Sequence, residues 1–168
     1  MDCECEICKS ACRKRPGWFS PGEVAKAATL KGMTEKDFFD KYIGVDYFVE
    51  NSVGNKRTPI FVLAPVTDRA KPGEEYPFNP HGTCVFFKDD KCDIHDAKPN
   101  ECRFYDHAQE DDVCFENRNK IVEKWRENSE EIVRLLEREP QLVEPSLMES
   151  MDMVIDSIRS QMGGFLDG

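Results

Sequence analysis

Apolar positions recur at helical spacing in two short segments near the start of the chain. In the first, Ser20-Pro21-Gly22-Glu23 predicts an N-cap, a proline at the first helical position and a capping-box acid. This helix should run to about Leu30 and stop at Gly32. A second helix should start at Thr34 and continue until Gly44. We expect both helices to be packing elements, and we assign them no chemistry.

The pattern changes after the second helix. Segments 45–49 and 58–63 are rich in β-branched and aromatic residues, and Gly54-Asn55 lies between them, so they predict a β-hairpin. From Thr67 to Pro80 the chain is polar and proline-rich, which predicts a long loop. His81 follows it, and we expect an exposed histidine rather than a ligand there.

The last third of the chain returns to helical spacing. Residues 115–139 predict one long helix ended by Pro140, and residues 146–162 predict another that stops at Gly163. The second helix is rich in methionine. Methionines fill gaps in cores and also form adaptable partner surfaces, and the sequence leaves both interpretations open.

Short helices, one hairpin and a helical end predict an α+β fold. At 168 residues the chain has the length of one domain and can bury a core without covalent or metal staples. We expect a cysteine-cluster metal-binding domain over residues 1–114, followed by a helical C-terminal extension over residues 115–168 that packs on it.

Charge and composition limit the function classes. The formal net charge of −10 argues against a nucleic-acid partner, which would need a basic face. No apolar run reaches the roughly 18 residues of a membrane span. The first ten residues have neither a basic nor an apolar signal region, so we expect a cytoplasmic protein in a reducing compartment. Cysteines there indicate metal or redox chemistry rather than disulfides.

The cysteines are concentrated in two places. Four lie within Cys3–Cys12, and three more lie within the segment Cys84–His107. We expect a loop over the first group, because offsets of two, three and four residues cannot all face one point from a regular helix. Cys84 and Cys92 flank a polar turn, which should bring them together like the ends of a hairpin.

A metal site explains these cysteines better than the alternatives. Thiolate and imidazole are the donors that zinc and iron–sulfur centres prefer. Inert buried thiols would not cluster four in ten residues, and a thioredoxin-type pair would need a preceding strand. The run Arg13-Lys14-Arg15 is either a solvated basic patch or counter-charge beside an anionic thiolate centre.

Three segments carry a family resemblance. They are Cys5-x-x-Cys8-x-x-x-Cys12, Cys92-Asp93-Ile94-His95 shortly after Cys84, and Lys98-Pro99-Asn100-Glu101-Cys102-Arg103-Phe104-Tyr105. Together they resemble the YkgJ-type cysteine-cluster family, the zinc- or iron-chelating CxxCxxCC domain. The resemblance covers about residues 3–107, and residues 98–105 are its most specific part.

The chain also departs from the family pattern. The first knot lacks the adjacent cysteine pair and has an additional Cys3, and Lys98 stands where arginine is usual. His107 falls where the last cysteine of the signature would lie, and histidine can replace cysteine as a ligand. His95 stands where the family more often has tyrosine, so we expect it to contact the ligands rather than the metal.

The resemblance implies a set of ligands. The first choices are Cys5, Cys8, Cys12, Cys84, Cys92 and Cys102, with Cys3 and His107 next. Cys114 is as well explained by a buried thiol as by a ligand. So many donors imply either two centres, or one multi-iron cluster with donors to spare. If the cofactor is an iron–sulfur cluster, Arg103 would help to hold it.

The resemblance implies a metal-binding protein with an iron–sulfur cluster as cofactor, or Zn²⁺ as the alternative. The function would be electron transfer, or a maturation or modification reaction in a larger assembly with another protein. Two alternatives stay open: a structural zinc module for protein–protein contact, and an iron–sulfur-dependent enzyme similar to protein N-methylases. Whether the protein is an enzyme is left open by the sequence.

Overall fold

The computed structural model describes residues 6–49, 59–68, 82–105, 111–137 and 145–163, and it confirms the α+β class. In chain order the elements are α1 (Glu6–Lys14), α2 (Glu23–Leu30), α3 (Glu35–Tyr42), β1 (Ile43–Val49), β2 (Pro59–Pro65), β3 (Phe87–Lys88), β4 (Lys91–Cys92), α4 (Asn100–Phe104), α5 (Asp111–Glu127), α6 (Ser129–Leu136) and α7 (Pro145–Gly163). A single 3₁₀ turn, His95–Ala97, precedes α4.

The two predicted N-terminal helices are present as α2 and α3, but two of their predicted ends are wrong. Helix α2 begins at Glu23 with Gly22 rather than Ser20 as its N-cap. Helix α3 ends at Tyr42, and Gly44 lies in β1. Gly32 follows α2 with a φ of 64°, the left-handed conformation that glycine adopts without strain. Thr34 caps α3 by accepting a hydrogen bond from the amide of Asp37. The capping box of α2 is half formed, because the Glu23 carboxylate accepts from the amide of Ser20 at 2.8 Å. The Ser20 hydroxyl has no hydrogen-bond partner among the described residues.

The predicted hairpin is the antiparallel pair β1–β2, with Ile43 opposite Pro65 and Val49 opposite Pro59. Most of β2 is buried, because helices cover it. Phe19 forms an isolated bridge to Leu63 through its amide, at 2.9 Å, so the chain before α2 runs beside the hairpin.

The C-terminal helices pack on this hairpin and complete one hydrophobic core. Both α5 and α6 contact β2, and α7 packs on α6. The indole N–H of Trp125 in α5 donates to the backbone carbonyl of Phe19 at 2.6 Å. The division at Cys114 stays a prediction, and that residue lies inside α5. Within the described ranges, no helix combines the length and apolarity of a transmembrane segment.

The loop predicted over the first cysteine group is wrong from Glu6 onward, where α1 begins. The prediction assumed that four thiols of this segment must converge on one point. In the structure Cys12, near the end of α1, lies close to cysteines of other segments, so a helix satisfies the geometry. Cys3 and Cys5 lie outside the described residues.

The single helix predicted over residues 115–139 is also wrong. Helix α5 begins four residues earlier, at Asp111, and Asn128 separates it from α6. The side-chain amide of Asn128 donates to the carbonyl of Lys124 at 2.8 Å, a local bond that competes with helix continuation. Pro140 lies outside the described residues.

The helix predicted over residues 146–162 is confirmed as α7, which ends at Gly163. Its methionines do not share one environment. Met151 is buried in the core, whereas Met153 is 60% exposed.

Candidate metal site

Four cysteines from α1, the β3–β4 hairpin and α4 line one cavity of about 370 Å³. They are Cys12 of α1, Cys84 just before β3, Cys92 of β4 and Cys102 of α4. We call it the thiol cavity. No disulfide joins any of the cysteines whose side chains the structure describes. The remaining lining is mostly apolar: Ile7, Ala11, Pro16, Gly17, Phe86, Phe87, Ile94, Pro99 and Tyr105.

The β3–β4 hairpin places two of these cysteines, as the polar turn between them predicted. Phe87 pairs with Cys92 across the two strands, and Cys84 lies three residues before Phe87. The amide of Cys84 donates to the carbonyl of Cys12 at 2.9 Å, which ties the hairpin to α1. The sequence therefore brings two thiols together locally and a third through a backbone hydrogen bond.

The turn of this hairpin is held by α1. Asp89 and Asp90 both have positive φ, at 47° and 59°, as a two-residue type I′ turn requires. Arg13 donates to the Asp90 carboxylate at 2.6 Å, and its guanidinium lies 5.2 Å from the centroid of the Phe87 ring. These contacts hold the hairpin against the helix that carries Cys12.

The Cys102 sulfur lies so close to Gly17 that only glycine, which has no side chain, fits at position 17. A Cβ built on Gly17 would lie 2.6 Å from the Cys102 sulfur and 3.0 Å from the Cys102 amide nitrogen. The backbone N–H of Gly17 donates to that sulfur. Glu101 holds the two segments together, since its carboxylate accepts from the amide of Trp18 at 2.8 Å and its own amide donates to the Trp18 carbonyl at 3.2 Å.

Burial strongly affects two of the thiols. It raises the pKa of Cys84 to about 12, partly offset by the N–H groups of Phe86 and Phe87 that donate to its sulfur. Burial also raises the pKa of Cys102 well above the usual range, and the neighbouring Cys84 and Cys12 add to the effect. Both thiols are therefore protonated at neutral pH without a metal, and metal binding must release these protons.

Positive charge lines the thiol cavity through Lys14, Arg15 and Lys98, with Glu101 as the acidic residue of the lining. Of the basic run predicted as either solvated patch or counter-charge, Lys14 and Arg15 are therefore at the cavity. Arg13 instead pairs with Asp90.

Trp18 contacts three charged side chains next to the cavity: those of Arg15, Arg118 and Asp46. Its ring has the guanidinium of Arg15 at 5.0 Å and that of Arg118 at 3.9 Å, both measured to the ring centroid. Its indole N–H donates to the buried Asp46 at 2.7 Å, and Arg15 lies 3.7 Å from the same carboxylate oxygen. Burial lowers the pKa of Arg118. This arrangement fixes Arg15 at the edge of the cavity.

The other predicted site residues fall into two groups. Cys3, Cys5, His81 and His107 lie outside the described residues. Cys8 is in α1, but its side chain is outside the described part, so its role as a ligand stays a prediction, as do those of Cys3, Cys5 and His107.

Three residues for which the sequence suggested a role are described but are not among the lining residues. Cys114 is in the first turn of α5. His95 lies in the 3₁₀ turn, and its Nε2 atom is buried without a hydrogen-bond partner among the described residues. Arg103 donates to Glu23 of α2 and to the carbonyl of Lys98. The expected contact of Arg103 with a cofactor stays a prediction.

The residues present suit a thiolate-bound metal centre by their chemistry. Four sulfurs around an apolar cavity with flanking positive charge form a donor set for zinc or an iron–sulfur cluster. Within residues 6–49, 59–68, 82–105, 111–137 and 145–163, no three Cys, His, Asp or Glu side chains form a group that could hold a metal ion. The four thiols share a cavity without converging on a single point.

The fold and the thiol-lined cavity are those expected of a small metal-chelating domain. The chain matches the family model CxxCxxCC, described as "Putative zinc- or iron-chelating domain", over residues 4–131. The protein belongs to this family. Searches of curated proteins and of solved structures give no significant match.

Sequence reasoning missed three residues that shape the site. Gly17 leaves space for Cys102, while Glu101 and Glu23 hold the helix that carries it. Glu101 lies next to Cys102 within the motif at residues 98–105, so its acidic side chain could have been recognised from the sequence as part of the site. Gly17 and Glu23 act across more than 70 residues of sequence, and no local pattern marks such contacts.

Proposed function

We propose that this protein binds an iron–sulfur cluster in the thiol cavity, with Cys12, Cys84, Cys92 and Cys102 as ligands. The cluster would serve electron transfer, or a maturation or modification reaction in a larger assembly with another protein, in the cytoplasm. The observation that carries the proposal is that four thiols, from α1, the β3–β4 hairpin and α4, line one mostly apolar cavity. The family description supports a metal but leaves zinc and iron open.

The size of the cavity favours a cluster over a single zinc ion. A structural zinc site draws four ligands to about 2.0–2.3 Å from one ion and leaves no open space between them. Here the four thiols are part of the lining of a cavity of about 370 Å³, which has far more room than one metal ion takes up.

The protein's own groups suit an anionic thiolate centre. A cluster would supply one-electron redox chemistry, with a potential that depends on hydrogen bonds to the sulfurs and on nearby charge. The backbone N–H groups of Gly17, Phe86 and Phe87 donate to cysteine sulfurs and so favour the thiolate form. Lys14 and Arg15 place positive charge at the lining, and the apolar side chains limit access of water.

The test is the metal and acid-labile sulfide content of anaerobically purified protein, together with its visible spectrum. We expect iron with matching sulfide and a brown sample. A colourless protein with zinc and no sulfide would overturn the proposal and indicate a structural zinc module.

The ligand assignment has its own variants. Cys102→Ser should abolish retention of the metal, whereas Cys114→Ser, at a cysteine outside the cavity lining, is the matched control and should retain it. Full metal content in Cys102→Ser would show that the assignment is wrong. Cys3, Cys5, Cys8 and His107 remain candidates for a second centre, which a metal content above that of one cluster would indicate.

A further inference from the structure

We propose that Glu23 positions Cys102. It acts indirectly, through hydrogen bonds to α4, the helix that carries Cys102. This inference assigns a site role to a residue of α2, a helix for which the sequence indicated packing alone. It deepens the proposed function, because it states what holds one of the four thiols at the cavity, and it is independent of which metal binds.

Helix α4 cannot hold its own position. It spans five residues, Asn100–Phe104, and a helix of one turn is unstable without tertiary contacts because nucleation is unfavourable. Pro99, the residue before it, has no side-chain hydrogen bond that caps the helix. The orientation of Cys102 therefore depends on groups outside α4.

Glu23 supplies that anchor with both carboxylate oxygens. Oε2 accepts from the amide of Asn100, at the start of α4, at 2.9 Å, and from the amide of Ser20 at 2.8 Å. Oε1 accepts from the guanidinium of Arg103, in the last turn of α4, at 3.2 Å. One carboxylate thus binds a residue at each end of α4, Asn100 and Arg103, and also binds Ser20 in the segment before α2. Cys102 lies between Asn100 and Arg103 in the sequence.

Burial makes this anchor strong. Glu23 is 5% exposed, and a buried carboxylate is tolerated only when hydrogen bonds replace its lost water. Bonds to an ionised acceptor are shorter and stronger than neutral ones. Glu101, within α4, binds the amide of Trp18, so two carboxylates connect the helix that carries Cys102 to two different segments.

The test is the alkylation rate of each thiol in metal-free protein, read by mass spectrometry after timed exposure to iodoacetamide. Cys102 is only partly exposed in the thiol cavity, so local opening of its segment should raise its alkylation rate. In Glu23→Gln the amide keeps one oxygen but presents N–H groups to Arg103. We expect Cys102 to react about 10-fold faster than in the wild type, with the rate of Cys84 unchanged.

Glu131→Gln is the matched control. The Glu131 carboxylate accepts from the amide of Gly22, one residue before Glu23, at 3.0 Å, and is held by α6 rather than by α4. It should leave the rate of Cys102 as in the wild type. Equal acceleration of Cys84 and Cys102 in Glu23→Gln, or no acceleration of Cys102, would overturn the proposal.

A second variant covers the case in which Glu23→Gln does not fold. Arg103→Met removes one of the three donors from a side chain that is 44% exposed, so the fold should tolerate it. A smaller but still selective acceleration of Cys102 is expected, and an unchanged rate would overturn the proposal.

A metal-based readout separates this inference from the proposed function. Protein loaded with Co²⁺ alone should lose its thiolate-to-metal absorption to a chelator about 10-fold faster in Glu23→Gln than in Glu131→Gln. Equal rates of loss in the two variants would count against Glu23. Absence of iron and sulfide in the wild type would instead defeat the proposed function and leave the alkylation result standing.

Discussion

At the scale of single residues, the site depends on a missing side chain. The Cβ of any other residue at position 17 would lie only 2.6 Å from the Cys102 sulfur. Real Cβ contacts at such a distance do not occur, so the sulfur or the backbone of α4 must shift. Gly32 differs from Gly17 because a Cβ there would have nothing within 4 Å, whereas its positive φ of 64° would strain any other residue.

Gly17→Ala should therefore lower metal retention, because Cys102 is displaced from the thiol cavity. We expect a loss of about 10-fold or more in metal affinity. Gly32→Ala is the control and should lower the free energy of unfolding by about 1 kcal/mol through strain, with metal retention intact. Metal content per protein and thermal unfolding measure the two effects. Equal metal content in the two variants would contradict the role of Gly17.

The raised thiol pKa values predict a pH dependence for the metal-free protein. Unfolded thiols ionise near pH 8.5, whereas Cys84 stays protonated in the folded state until about pH 12. The folded state then holds protons that the unfolded state has lost, so stability falls as pH rises through this window. For Cys84 alone the loss is about 2 kcal/mol by about pH 10.

Urea unfolding of metal-free protein at a series of pH values checks this expectation. Cys84→Ser should show a shallower loss between about pH 8.5 and 10, since its hydroxyl does not titrate there. Parallel curves for the variant and the wild type would show that Cys84 ionises as freely in the folded state as in the unfolded chain.

At the scale of elements, the β3–β4 hairpin combines two thiols with a strained turn. Aspartate occupies both left-handed turn positions, at Asp89 and Asp90, where asparagine and glycine are preferred. At Asp90 the hydrogen bond from Arg13 of α1 offsets the strain of the left-handed conformation. Among the described residues, Asp89 makes no such bond to α1, so strain at that position can be relieved at little loss.

Asp89→Gly should therefore stabilise the protein by about 0.5 kcal/mol, as relief of the left-handed conformation outweighs the added freedom of the unfolded chain. Asp90→Gly is the comparison and should stabilise less, or destabilise, because it also removes the bond to Arg13. Chemical unfolding of both variants measures the difference. A larger gain for Asp90→Gly would mean that the Arg13 contact does not support the hairpin.

At the scale of the whole molecule, the thiol cavity and the hydrophobic core are built mostly from different segments, although Phe86 and Ile94 belong to both. The cavity is lined from α1, the β3–β4 hairpin, α4 and their adjoining residues, whereas β1, β2 and α5–α7 supply most of the core. A chain of this length can bury enough apolar surface to fold without a metal.

Removal of the metal should consequently leave the protein folded but loosen the cavity segments. We expect amide hydrogen exchange in α1, β3–β4 and α4 to become about 10-fold faster or more, with β2 and α5 unchanged. Cys102→Ser should reproduce this pattern without a chelator. Global loss of protection after metal removal would show that the metal is required for folding.

Local signals predicted much of the fold, and long-range contacts account for what was missed. The Thr34 cap of α3, Gly32 after α2 and the β1–β2 hairpin each depend on a few consecutive residues, so their patterns were sufficient. The predicted N-cap of α2 was wrong, since Gly22 rather than Ser20 holds that position. The break at Asn128 depends on one side-chain bond, which a run of helical spacing conceals.

The site divides in the same way. The proximity of Cys84 to Cys92 follows from the short turn between them. A family resemblance supplied Cys12 and Cys102 as partners. The anchoring of Cys102 by Glu23 and Gly17 joins residues far apart in sequence. Such contacts leave no periodicity and no spacing in the sequence, so the structure was needed to find them.

The stack of Arg15, Trp18 and Arg118 also gives the molecule an optical property. Trp18 adjoins Gly17, which touches the Cys102 sulfur, and its amide is bonded to Glu101. Iron–sulfur clusters absorb light where an indole emits it, so a cluster in the cavity would quench the fluorescence of Trp18 by energy transfer. The second tryptophan, Trp125, is buried in the core and bonded to Phe19. A protein with Trp125 replaced by phenylalanine would then carry one native fluorophore that reports the filling and emptying of its own metal site as it happens.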